Sequence, residues 1–78
     1  MNLLLPQTRE ATVLASRAVD IHGDRFFDVT LRFDEPGLEP VTSRVSATEC
    51  PPDLAEGERV SARLVLGIVT RVSRLPRE

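Results

Sequence analysis

The chain has 78 residues, 41% of them hydrophobic, and a formal charge of −2, which leaves room for one small core and no second. One cysteine, Cys50, and one histidine, His22, exclude an internal disulfide and, unless carboxylates or a second chain help, a zinc site. The residues contain no G-x-S-x-G elbow, G-x-G-x-x-G turn or Walker loop, and the longest apolar run, Leu3-Leu4-Leu5, is too short for a membrane span or a signal peptide. The expected location is therefore the cytoplasm, with no membrane partner.

Residues 1–8 read as an N-terminal arm, residues 9–75 as a single β domain and residues 76–78 as a frayed end. Glu10 to Ile21 fits two periods. Val13, Ala15, Val19 and Ile21 share one strand face with Arg17 intruding, whereas Ala11, Leu14, Ala15 and Ala18 fit a helical stripe. The short His22-Gly23-Asp24 turn and the strand after it favour a strand, with Arg17 marking a bulge or a strand end. Arg25 to Asp34 alternates cleanly, and Phe27, Val29, Leu31 and Phe33 form its inward face. Asp34-Glu35-Pro36-Gly37 is a turn. A third strand runs from Val41 to Glu49, with Val41, Val45 and Ala47 inward, and ends at Cys50-Pro51-Pro52 because proline cannot donate to a ladder. Pro52 to Glu56 is expected to form one helical turn, stopped by Gly57, with Leu54 plugging one end of the core. The fourth strand, Arg59 to Leu66, alternates Val60, Ala62, Leu64 and Leu66 on its apolar face against Arg59, Ser61, Arg63 and Val65. Gly67 reads as a bulge or bend joining it to the fifth strand, Ile68 to Leu75, in one curved ribbon. The phase of that last strand is unresolved, because Ile68 and Val72 point one way and Val69 and Leu75 the other.

Five strands must hide their edges, by closing into a small barrel or as a curled open sheet that dimerises through an edge; the barrel is the expectation. Three strands, a short helical turn and two more strands, with Leu54-x-x-Gly57-x-x-Val60 opening a strand that runs into Gly67, resemble the oligonucleotide/oligosaccharide-binding (OB) fold over about residues 9–75. Many small bacterial proteins of unknown role share that pattern. The resemblance implies an all-β fold: a five-stranded OB-like barrel with one short helical turn between strands three and four. The same Leu-x-x-Gly-x-x-Val pattern is similar to molybdate-binding OB-like modules, which implies an oxyanion ligand.

All 10 basic residues are arginine. Residues 1–56 carry a net −5 and residues 57–78 a net +3, so the C-terminal third can present a local positive face. The favoured reading is a non-enzymatic protein-interaction or structural, accessory module. It binds a protein partner or a second copy of itself, and the apolar Leu3, Leu4 and Leu5 arm either crosses to a neighbour or caps its own barrel. A second reading is single-stranded nucleic-acid binding on an outward face of Phe26, Thr30, Arg32, Thr42, Arg44, Ser46 and Thr48, where Phe26 stacks a base and Arg32 and Arg44 meet phosphates. A third is binding of a small oxyanion by Thr42, Ser43 and Arg44. No catalytic residue, cofactor or metal is expected. His22 belongs to an exposed turn beside Asp20 and Asp24, far from any pocket, and Cys50 reads as a small, semi-buried hydrophobe.

Overall fold

The computed structural model describes residues 6–76. They form an all-β fold of five strands, β1 (Gln7–Ile21), β2 (Asp24–Phe33), β3 (Val41–Ser46), β4 (Arg59–Val65) and β5 (Ile68–Arg74), with one 3₁₀ turn (Ala47–Glu49) between β3 and β4. All neighbours pair antiparallel in a single sheet of order β3-β2-β1-β4-β5. Strands β4-β1-β2-β3 therefore make a Greek key, to which β5 adds as the second arm of a hairpin.

Residues 10–21 are strand, not helix, and the strand starts earlier, at Gln7. Its irregularity lies three residues before Arg17. Val13 pairs with Leu31 and Ala15 with Thr30, which leaves Leu14 as the extra residue of a bulge. One extra residue reverses the alternation. Ala11 and Val13 are buried, but beyond the bulge Val19 stands opposite Phe26 and Ile21 opposite Asp24, on the outward face. Val19 and Ile21 thus do not share a face with Val13, contrary to the expectation from spacing. A second bulge settles the phase of β5. Arg63 pairs with Arg71 and Leu64 with Val69, so Thr70 is extra and both Val69 and Val72 turn inward.

Two tight hairpins join β1 to β2 and β4 to β5. His22 and Gly23 have φ of 51° and 84°, and Leu66 and Gly67 have φ of 54° and 77°. Positive φ at both central residues is the type I′ signature, whose twist matches that of the strands it joins. Gly67 therefore closes a hairpin and does not bend one continuous ribbon.

Phe27, Val29, Leu31 and Phe33 all face the core, where they meet Ala11 and Val13 from β1, Val45 from β3, Val60 and Ala62 from β4 and Val69 and Val72 from β5. Leu54 and Cys50 are buried at its rim, and no described polar side chain is buried with them. The helical turn falls at Ala47–Glu49 and not at residues 52–56. The Ser46 hydroxyl accepts a hydrogen bond from the Thr48 amide at 3.3 Å, ending β3 at Ser46, before Glu49.

The sheet is not closed into a barrel. The ladders run β1 up, β2 down, β3 up, β4 down and β5 up, so the two edge strands β3 and β5 are parallel. Their Cα atoms approach within 8 Å, yet no ladder joins them. The residues that would continue β3 along β5 are taken up by the 3₁₀ turn and by Pro51 and Pro52, which have no amide hydrogen to give. Ion pairs bridge the seam instead: Arg71 to Glu49, and Arg74 to Asp53 at 2.6 Å in the connection that follows; Arg74 also meets Glu58, at the start of its own ladder partner β4. None of the described helical residues makes a helix long and apolar enough to cross a membrane.

Candidate functional site

The outward face of β2 and β3 is where the sequence places its ligand-binding residues. The register sets Phe26 opposite Ser46, Asp28 opposite Arg44 and Thr30 opposite Thr42. Directly opposed residues share a face, so these side chains stand together on the side away from the core. They are largely occupied with one another. The Thr30 and Thr42 hydroxyls are 2.9 Å apart. Arg44 donates from Nε to Asp28 Oδ1 at 2.8 Å and from Nη2 to Asp28 Oδ2 at 3.0 Å, a two-pronged pair. Those bonds, with the charges of Arg44 and Arg17 behind them, hold the Asp28 carboxyl below the usual carboxylate range. The Ser46 and Thr48 hydroxyls are 3.0 Å apart. Phe26 is half-buried opposite Val19, and Arg32 forms no ion pair among the described residues, though its charge acts on Asp34. Of the triad Thr42, Ser43 and Arg44, only Ser43 has no such side-chain bond, and it lies in the strand's other phase, opposite Val29.

The arm residues Leu3, Leu4 and Leu5 lie outside the described residues. His22 is exposed in its turn. Cys50 is buried at the base of a groove between the 3₁₀ turn and β5, bounded by Glu49, Pro51, Arg71 and Arg74. Burial pushes its thiol up, and the charge of Arg74 opposes this only in part. Such a thiol is a poor nucleophile. Among the described residues, no group of three or more His, Cys, Asp or Glu is placed to hold a metal ion.

Sequence reasoning missed how the rest of the outward face is furnished. Arg17 stands opposite Asp28, Arg59 opposite Thr12, and Arg63 opposite both Thr8 and Arg71. Arg59 meets both Asp34 carboxylate oxygens at 2.6 Å, Glu10 at 3.4 Å and the Thr12 hydroxyl at 3.0 Å. Its hydrogen bonds hold Asp34 below the usual carboxylate range. The excess of arginine in residues 57–78 was the available signal, but composition does not say which strand each one faces. No family model, curated protein or solved structure matches the chain.

Proposed function

We propose that this chain is a non-enzymatic OB-like β module that works by binding a protein partner, in the first instance a second copy of itself, through the leading ends of its two edge strands. The OB reading is supported by the Greek-key order and by the partial opening, both of which belong to that fold. One observation carries the function. The exposed large hydrophobic side chains among the described residues are Leu38 (49% exposed), Val41 (37%), Leu66 (60%) and Ile68 (62%). Leu38 precedes β3 and Val41 opens it; Leu66 precedes β5 and Ile68 opens it. Each of these pairs thus stands at the entry of an edge strand, β3 or β5, whose outer hydrogen-bonding groups have no ladder partner. Unpaired edges flanked by apolar side chains are what strand addition uses. Nothing comparable favours catalysis: the buried thiol is held protonated and the histidine is solvated in a turn.

Light scattering at two widely separated concentrations tests this. The expected result is a dimer that dissociates on dilution and that Leu66→Asp with Ile68→Asp converts to a monomer of unchanged circular dichroism. A strict monomer at every concentration, or a dimer indifferent to both substitutions, overturns it.

A further inference from the structure

The ladders bring six arginines together on the outward face in three tiers. In the first, Arg63 and Arg71 are directly opposed across β4 and β5. Four residues along β4 comes the second, where Arg59 and Arg32 flank Thr12 from either side. Four residues along β2 comes the third, where Arg17 and Arg44 flank Asp28. At ~3.3 Å per residue the tiers are about 13 Å apart and the array about 26 Å long. It runs obliquely, from β4 and β5 at one end to β1 and β3 at the other.

Each tier has the same internal division. One arginine is held by the chain's own carboxylate: Arg71 by Glu49, Arg59 by Asp34 and Arg44 by Asp28. The other, Arg63, Arg32 or Arg17, is exposed and forms no ion pair among the described residues. The acids left without an ion pair among the described residues, Asp24, Glu39 and Glu56, lie at a strand start or in connections, off the array. Among the described residues, the arginines without an ion pair therefore all lie on one face, where the charges of Arg17 and Arg32 still act on Asp28 and Asp34. That face also tolerates two like charges directly opposed at Arg63 and Arg71, an arrangement that is unfavourable in a sheet.

We infer that this array is a docking stripe for an acidic peptide segment of a protein partner, a surface beyond the edge pairing proposed above. The anion follows from the stripe's own chemistry. Two of its tiers already hold a carboxylate in two-pronged fashion, Asp28 on Arg44 and Asp34 on Arg59. The planar guanidinium fork matches a second carboxylate equally well. Spacing argues against nucleic acid, because unpaired arginines about 14 to 16 Å apart, once the ~4.8 Å between strands is counted, are sparse beside a phosphate at every nucleotide, whereas Asp and Glu in an extended peptide recur about 13 Å apart at every fourth residue, within reach of the long arginine side chains. Base stacking also needs aromatic platforms, and Phe26, beyond the third tier, is the one aromatic on this face among the described residues.

Fluorescence anisotropy of a labelled peptide of about 12 glutamates, long enough at ~3.3 Å per residue to cover the stripe, tests the inference beside a labelled dT oligonucleotide of equal length. At about 25 mM salt the glutamate peptide is expected to bind, and at about 0.5 M salt to be released. Replacing Arg17, Arg32 and Arg63 together by Ala weakens binding by roughly tenfold or more, while Arg25→Ala, on the remote β1–β2 hairpin, leaves it within about twofold. Asp28→Asn, which releases Arg44 and removes a competing carboxylate, strengthens it several-fold. Absence of binding at low salt, or a triple variant that binds as well as the parent, overturns the stripe. Tighter binding of the dT oligonucleotide, lost in the same triple variant, overturns the acidic-peptide assignment in favour of nucleic acid. Light scattering on the triple variant separates this test from that of edge pairing: the arginine substitutions leave the oligomeric state as it is in the parent, and the Leu66 and Ile68 substitutions leave peptide binding intact.

Discussion

Leu66 is the residue least suited to its backbone. At φ 54° it occupies the left-handed region, where the Cβ atom itself crowds the following carbonyl oxygen. Asparagine and aspartate are the usual occupants of the position before glycine in a type I′ turn. Leu66 is also exposed, so no burial offsets the strain. Leu66→Asn is expected to stabilise the folded monomer by about 1 kcal/mol, read as a higher urea midpoint at unchanged slope. The same substitution removes an apolar side chain from the entry of edge strand β5 and should weaken the self-association proposed above. An exposed residue that lowers the stability of its own monomer fits a functional position better than a structural one.

At the scale of elements, the seam between β3 and β5 is held by side chains where a barrel would have a ladder. The pair Arg71 and Glu49 crosses it, and the hydrogen bond from Arg71 is the first cause holding Glu49 below its ordinary range. Glu49→Gln should therefore loosen the 3₁₀ turn first. Amide exchange at Ser46 to Cys50 is expected to accelerate several-fold while the β1–β2 ladder keeps its protection, read by hydrogen–deuterium exchange. Much of this architecture was legible in the chain. The alternation Phe27, Val29, Leu31, Phe33 named the inward face of β2, and with it the outward residues Phe26, Thr30 and Arg32. The bulges at Leu14 and Thr70 were not, because an extra residue reverses phase without leaving a local mark. The Leu14 bulge falls where β1 loses its second neighbour: Val13 still exchanges hydrogen bonds with Glu58 and Gly57, and beyond it β1 pairs with β2 alone. Arg17 signalled the irregularity but not its place. Closure was not legible because nothing in one edge strand reveals whether the other, with three strands between them, will reach it. The arginine tiers were hidden for the same reason, since register alone sets Arg63 against Arg71.

Taken as a whole, the molecule ties its surface together with carboxylates. Asp20, Asp28, Asp34, Glu49 and Asp53 are held below their ordinary range chiefly by hydrogen bonds from arginine, and Glu58 first by the Ala55 amide and then by Arg74. A carboxyl that ionises more readily folded than unfolded stabilises the fold above its unfolded pKa, and that contribution fades as pH falls through the lower, folded value. The urea midpoint should thus stay flat from neutral pH down to about 5 and fall below about pH 4, less steeply at high salt. The hydrogen-bond network divides differently. Among the described residues, only Glu10, Ala11, Thr12 and Val13 of β1 are bonded on both sides, to the β2 side and to the β4 side. The sheet is in effect two leaves on one hinge pin, a three-stranded leaf and a two-stranded leaf. The smaller leaf carries the turn of Leu66 and Gly67 at its tip while burying Val60, Ala62, Val69 and Val72 in the shared core, so a contact made at Leu66 bears on the same hairpin that closes that core.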